Sequence, residues 1–346
     1  MPLGRIAGIP LSLHWSFLIL VALIALYGAQ AGSGGVVSAL FWLVVIFASV
    51  VVHELAHSLL ARVKGAEVHA IVLLPIGGVS QIERMPEAWS DELAIAAVGP
   101  LTSVGLGVLA AVATLASGGH LFPFNLYGGS FLARVAWLNL VLGAFNLLPA
   151  FPLDGGRVLR ATLERRRSLE SATHIAATVG RVLGAAMIAV GVVWDLWLLV
   201  IGAFVYFGAT QEERSTAVHS RLRGVQVGQF MRSPVRTLDA REPLHTVGGW
   251  WGVPQVVTVD GRYFGMVDAA TLRRAASDPE SATRTVGDVT DVDAPTLAVH
   301  DDLGRSALDR LMGSGYEALA VVDAGAVVGV ILRDDIAAWF GAGARA

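Results

Sequence analysis

The sequence predicts a polytopic α-helical membrane protein of about six transmembrane helices, followed by a C-terminal α/β module built as a tandem repeat. Three observations predict it. The 346 residues are 54% hydrophobic and only 15% charged, well below the roughly 25% charge of a typical soluble domain. The apolar excess is confined to residues 1–223, where it falls into runs near the ~20 residues that cross a bilayer. Residues 224–346 read as ordinary soluble sequence and contain two similar stretches.

The apolar runs are 11–29, 36–61, 92–116, 131–150, 174–193 and 196–210. The last two are joined only by "WDLW" and suggest a tight helical hairpin. Ala29-Gln30-Ala31 resembles a signal-peptidase site. The run before it is longer than a signal-peptide core and is preceded only by Arg5, so a retained first helix is expected. Basic residues orient the bundle. Arg5, Arg62, Lys64, Arg84, Arg157, Arg160, Arg165, Arg166, Arg167, Arg214, Arg221 and Arg223 fall at alternate ends of the spans, whereas the connections 30–35, 117–130 and Trp194–Leu196 carry none. The positive-inside rule then makes the N-terminus and the C-terminal tail cytoplasmic in a multi-pass cell-membrane protein. Trp15, Trp42, Trp137, Trp194 and Trp197 lie near span ends, as interfacial aromatics do.

The connection 65–90 breaks the helical pattern. "AEVHAIVLLPIGGVSQIERM" combines β-branched residues, Gly77-Gly78 and an alternating segment, and reads as strand–turn–strand. Two readings stay open for it: a hydrophobic loop shielding the bundle, or an edge strand that pairs with an extended peptide.

Residues 1–223 carry 14 basic and 12 acidic groups, and residues 224–346 carry 11 and 16. An acidic soluble tail argues against nucleic-acid binding. There is no cysteine, so thiol catalysis and Cys-ligated metals are excluded, and metal chemistry must use His, Asp and Glu.

Within the tail, 227–274 parallels 286–336: a short leading segment, a "TL" strand, a helical stretch, two strands around a "VD" turn with glycine, and a closing helix. This repeat resembles a pair of cystathionine-β-synthase (CBS) modules, which implies dimerisation and an adenine-nucleotide site. The expected division is 1–215 for the membrane domain, 224–279 for the first CBS module and 285–340 for the second. The family's nucleotide pattern G-h-h-[ST]-x-x-[DN] is incomplete in both copies. "GVILRDD" keeps Asp335, the weak nucleotide candidate, but has Leu332 at the hydroxyl position; "GMVDAAT" has Asp268 and Thr271. A homodimer through the CBS modules therefore ranks above nucleotide binding.

The candidate chemistry begins at His53-Glu54-Leu55-Ala56-His57, an H-E-x-x-H pattern inside an apolar run. Spacing of four residues puts both imidazoles on one helix face, and Glu54 follows the first as a candidate base. An ionisable group at a helix centre costs about 2.5–3.5 kcal/mol in a bilayer. Three together call for a compensating cation. A catalytic zinc needs a third protein ligand and an open position. His57 lies just before Arg62 and Lys64, and the fourth span, running in the same direction, ends in "FNLLPAFPLDGGRVLRA", where Asp154 lies just before Arg157 and Arg160. Matching depth makes Asp154 the candidate third ligand. The alternative is that it only caps the following helix, with Arg157 as partner.

"HELAH" late in one span and "NLLPAFPLDGGR" at the end of another, with "AAVGPLTS" and "GIPLSLHWSF", resemble the site-2 protease family of intramembrane zinc metalloproteases over residues 1 to about 210. The resemblance implies Zn²⁺ held by His53, His57 and Asp154, with Glu54 as base. Asn146 matches the family's N-x-x-P-x-x-P-x-D-G asparagine, which implies a hydrogen bond to the substrate carbonyl; an interhelical polar contact is the alternative. Asn139 fits that alternative better, and His14 reads as an interfacial histidine outside the ligand set. The implied substrate is a membrane protein such as an anti-sigma factor or signalling precursor, cut in or near a transmembrane helix. The competing reading is a zinc-binding transporter or regulator that does not cleave.

Overall fold

The computed structural model describes residues 1–30, 32, 34–83, 86, 88–122, 130–247 and 254–336. Ala31, Arg84, residues 123–129 of the 117–130 connection and residues 337–340 of the second repeat lie outside the described residues. The chain forms two compact units, Met1–Thr216 and Ala217–Ala346.

The first unit opens with two short strands, β1 (Pro2–Ile6) and β2 (Ile9–Leu13), and only then enters helix α1 (Phe17–Gln30). The sequence reading began the first span at residue 11. The structure corrects this, because Ile9, Leu11 and Leu13 alternate with period two and Pro10 is excluded from a helix interior. Helix α2 (Gly35–Val63) carries the H-E-x-x-H residues. Then come β3 (Glu67–Leu74) and β4 (Gly77–Glu83), the expected strand–turn–strand, with Gly77-Gly78 opening β4 rather than forming the turn. The four strands make one sheet in the order β1-β2-β3-β4, in which β2 and β3 are parallel and the other pairs antiparallel. Ile9, Ile71 and Leu73 of this sheet pack with Phe17, Leu43 and Phe47 of α1 and α2.

Helices α3 (Trp89–Ala116), α4 (Phe131–Asn146), α5 (Asp154–Glu164), α6 (Leu169–Trp194) and α7 (Leu196–Leu222) follow. Helix α4 stops at Asn146, four residues short of the expected span, because Pro149 and Pro152 exclude helix from the segment before Asp154. Helices α6 and α7 form the tight hairpin expected from "WDLW", with Asp195 Oδ1 accepting the Trp197 N–H at 2.6 Å. Their backbones come close enough that a Cβ on Gly184 would lie 2.8 Å from the Gly202 carbonyl oxygen. Small residues at such crossings do the work that hydrophobic burial does in water, since lipid tails are as apolar as side chains.

By length and composition, α2, α3 and α6 are long and apolar enough to cross a membrane, and α1 and α4 are shorter apolar helices. Large apolar side chains such as Leu109, Val193, Trp194 and Trp197 are exposed, the expected surface of a protein solvated by lipid. At one end of this unit the Arg160 guanidinium of α5 joins Glu92 of α3 and Glu212 of α7, at 2.8 Å from Nε and Nη1 respectively. The helix that starts with Asp154 is thus tied to two neighbours.

The second unit is a six-stranded sheet, β5 (Thr237–Asp239), β6 (Gln255–Val259), β7 (Arg262–Val267), β8 (Thr296–Ala298), β9 (Ala318–Asp323) and β10 (Ala326–Leu332), in the order β5-β6-β7-β10-β9-β8. The repeat seen in the sequence is explicit here. Each half pairs its first strand parallel to its second and its second antiparallel to its third, and the halves meet where β7 and β10 pair antiparallel. Both hairpins turn through two residues of positive φ, Asp260-Gly261 and Ala324-Gly325, the geometry that matches strand twist. Leu297, Leu319, Val321 and Ile331 lie in the larger core cluster and Val257, Val267 and Leu272 in the smaller. Part of the first module's expected helical stretch, 248–253, lies outside the described residues.

Candidate metal centre

Three side chains separated by up to 101 residues converge in the first unit. His53 Nε2 lies 3.1 Å from Asp154 Oδ2, His57 Nε2 lies 3.2 Å from the same oxygen, and the two Nε2 atoms are 3.1 Å apart. His53 and His57 are 4% and 7% exposed, and the Asp154 side chain is 17% exposed. The helical period brings the two imidazoles together. Asp154 joins them because α5 begins at that residue, immediately after the proline-rich segment. Its N-cap is Leu153, so Asp154 does not cap the helix, and its ion-pair partners among the described residues are the two histidines.

The outer nitrogens define the protonation. His57 Nδ1 faces the Ile95 carbonyl oxygen at 2.6 Å. A carbonyl only accepts, so Nδ1 carries the proton and the neutral ring presents a lone pair at Nε2. His53 Nδ1 is 3.0 Å from Ser103 Oγ, a hydroxyl that can accept in the same way. Two imidazole lone pairs and a carboxylate oxygen would then repel at hydrogen-bond distance unless a cation lies among them. Ligands about 2.0–2.1 Å from one tetrahedral zinc are about 3.3 Å apart, close to the separations here. The donor set fits zinc, and Ile95 and Ser103 provide the orienting bonds that metal-binding histidines use.

Glu54 lies on the adjacent face of α2, about 100° round from His53. Ser80 Oγ of β4 donates to its Oε2 at 2.7 Å, and the carboxylate is within electrostatic reach of His53, His57 and Asp154. Backbones press on this cluster from two directions. A Cβ on Gly99 of α3 would lie 2.1 Å from His57 Nε2, and one on Gly78 of β4 would lie 2.5 Å from Glu54 Cγ.

The structure does not bring the remaining sequence candidates into the trio. The Asn146 amide donates to the Leu142 carbonyl within α4 at 2.9 Å. Asn139 is buried and donates to Ser49 Oγ of α2 at 3.1 Å, the interhelical contact the sequence suggested. His14 Nδ1 pairs with Ser16 Oγ at 2.7 Å. In the second unit, Asp335 accepts from Arg232 Nε and Nη2 at 2.8 and 2.5 Å, and Asp268 caps the helix α8 (Ala269–Ala276) through the N–H groups of Ala270 and Thr271. Sequence reasoning missed Ser80, Ser103, Gly78 and Gly99 as parts of the site.

Residues 41–129 and 125–190 match Peptidase family M50, and residues 286–341 match the CBS domain. Zinc metalloprotease MJ0392 of Methanocaldococcus jannaschii is 30% identical over 96% of this chain and 94% of its own length. Rip3 of Mycobacterium tuberculosis is 32% identical over 97% and 92%. The chain belongs to peptidase family M50. A solved site-2 protease from Methanocaldococcus jannaschii is 37% identical to this M50 member over 62% of this chain and 95% of that one, with a TM-score of 0.48. The CBS match covers the second repeat, and the first repeat forms the matching half of the same sheet. In this M50 member the H-E-x-x-H helix and the aspartate after the double proline meet at one point, which neither motif alone required.

Proposed function

We propose that this chain is a site-2-type zinc metalloendopeptidase that hydrolyses peptide bonds in or near transmembrane helices of membrane-bound substrates. The observation that carries the reading is the approach of His53 Nε2, His57 Nε2 and Asp154 Oδ2 to within 3.2 Å of one another. These three residues hold the zinc. When bound, the ion supplies the Lewis acidity that makes water nucleophilic near neutral pH and draws charge from the scissile carbonyl. Glu54, on the same helix and held by Ser80, accepts the proton of the attacking water and returns it to the leaving amine. Asn146 uses one of its two amide N–H groups within α4 and offers the other to the developing oxyanion.

The substrate helix unwinds before it is cut, and its freed amides need partners that lipid does not supply. The outer edge of β4 is the proposed partner, because β4 ends the sheet and runs beside Glu54. The six apolar helices cross the membrane, with the N-terminus and the C-terminal unit on the cytoplasmic side; basic-residue placement supports this orientation. The domains divide as 1–215, 224–279 and 285–340, and the CBS pair serves dimerisation first. Its nucleotide candidate Asp335 is already held by Arg232, which favours assembly over nucleotide sensing. Membrane-bound fragments compared by proteomics between cells with the wild-type enzyme and cells with Glu54→Ala identify the substrate. Cleavage that survives Glu54→Ala rules out this mechanism.

A further inference from the structure

Ser80 stands outside the metal-binding trio, yet it makes the bond that fixes the carboxylate beside it. Strand β4 lies along α2, and successive inward residues follow the period of two. A Cβ on Gly78 would meet Glu54 Cγ, Ser80 Oγ meets Glu54 Oε2, and Ile82 packs beside Ala61 and Ile95. One face of the strand thus follows the residues 54, 58 and 61 of the helix.

The direction of the bonds follows from donor chemistry. An ionised carboxylate only accepts, so the Ser80 hydroxyl donates to Glu54. The Ser58 hydroxyl, fully buried, donates into the free lone pair of Ser80 at 3.0 Å. Ser80 Oγ also lies 3.4 Å from the Glu54 backbone carbonyl, a weaker contact on the same side. The relay Ser58 to Ser80 to Glu54 Oε2 occupies one carboxylate oxygen and leaves Oε1 for proton transfer. Glu54 has no other hydrogen-bond partner for its carboxylate among the described residues.

We propose that Ser80 is a positioning residue for the base. It sets the orientation of the Glu54 carboxylate from the edge strand, with Ser58 holding the Ser80 hydroxyl in the donating direction. The inference rests on Glu54 being the base of the proposed protease and goes beyond it by assigning what aims that base.

The test uses the full chain with zinc, in vesicles of phosphatidylcholine and phosphatidylglycerol. The probe is a single transmembrane helix fused to a fluorescent protein and cleaved by the wild-type enzyme. Ser80→Ala is expected to lower kcat about 10- to 100-fold, with KM within about twofold and zinc content unchanged. Ser80→Thr, which keeps a hydroxyl, restores most of the rate, and Ser58→Ala gives a smaller loss of the same kind. A readout independent of turnover is the carboxylate stretch of Glu54, isolated by infrared subtraction of the Glu54→Gln spectrum; it shifts in Ser80→Ala and returns in Ser80→Thr. An unchanged kcat with an unmoved band in Ser80→Ala overturns the proposal and leaves the protease reading intact. A loss carried by KM or by zinc content overturns it in favour of a purely structural strand. Turnover by Glu54→Ala equal to wild type instead removes the protease mechanism itself.

Discussion

Gly99→Ala separates a metal site from a merely polar cluster. The added methyl carbon would lie 2.1 Å from His57 Nε2, 2.6 Å from Cε1 and 2.7 Å from Cδ2. Ordinary contact begins at 3.4 Å, so the imidazole tip must move by about 1.3 Å or α3 must retreat by as much. The ring cannot slide freely, because Nδ1 is anchored 2.6 Å from the Ile95 carbonyl on the same helix as Gly99. A metal site tolerates only about 0.2 Å of ligand displacement. Loss of a supporting contact costs about 10- to 100-fold in metal affinity, and displacing a ligand itself is expected to cost at least about 100-fold on that scale. Zinc content after dialysis against a graded chelator measures this directly. Gly105→Ala on the same helix is the control, since its Cβ meets nothing within 4 Å and alanine suits a helix better than glycine by about 1 kcal/mol in water. If Gly99→Ala retains zinc as tightly as Gly105→Ala, the assignment of His57 Nε2 as a ligand fails.

Two further predictions concern the supports of each unit. Arg160→Met leaves Glu92 and Glu212 facing each other without their shared cation, all three side chains being less than a third exposed. A cost of about 3 kcal/mol is expected, read as a fall in Tm in detergent and partly recovered by adding Glu92→Gln; an unchanged Tm would mean the triad carries no stability. In the second unit, burial and then the charge of Asp291 push the Tyr263 hydroxyl up to about 12 from an unfolded value of 10.0, while burial and a hydrogen bond to Asp291 also push Tyr316 up. A raised folded value means that the folded state keeps the proton longer, so this stability is complete below pH 10.0 and is lost as pH rises towards 12. Urea midpoints of the full chain, followed through the β-sheet signal, should therefore fall across that window. They should fall less in Tyr263→Phe, and an equal fall in both proteins would contradict the assignment.

What the sequence made legible follows from which signals are local. Helices α2, α3 and α6 were readable because length and composition suffice for a membrane helix. The repeat in the tail was readable because each half carries its own strands and turn. The approach of Asp154 to His53 is legible in the sequence, since depth in a bilayer is a one-dimensional quantity that charged residues and span direction constrain. Strand β1 was not readable: "PLGRI" is too short and too exposed to leave an alternating pattern. Ser80 and Ser103 were invisible for a different reason. Their partners lie 26 and 50 residues away, serines are frequent, and no spacing rule relates a strand or helix hydroxyl to a distant side chain. Gly99 and Gly78 carried no signal beyond being small; their role is a close approach that exists only once α3 and β4 are packed on α2.

That packing divides the H-E-x-x-H helix into two faces with separate supports. His53, His57 and Ala61 form a stripe at four-residue spacing, and it meets α3 through Ser103, Ile95 and Gly99. Glu54 and Ser58 form the neighbouring stripe, and it meets β4 through Gly78 and Ser80. One helical turn thus presents the two histidines to a helix and Glu54 to a strand, because adjacent residues on a helix point about 100° apart. The consequence is a division of labour that perturbations should respect. Changes on α3 disturb how tightly the metal is held, while changes on β4 disturb proton transfer with the metal retained. Under the proposed function, Glu54 can therefore respond to what pairs with the edge of β4 without any loosening of the metal, which suits a protease that holds its metal continuously and accepts substrate only once it has unwound.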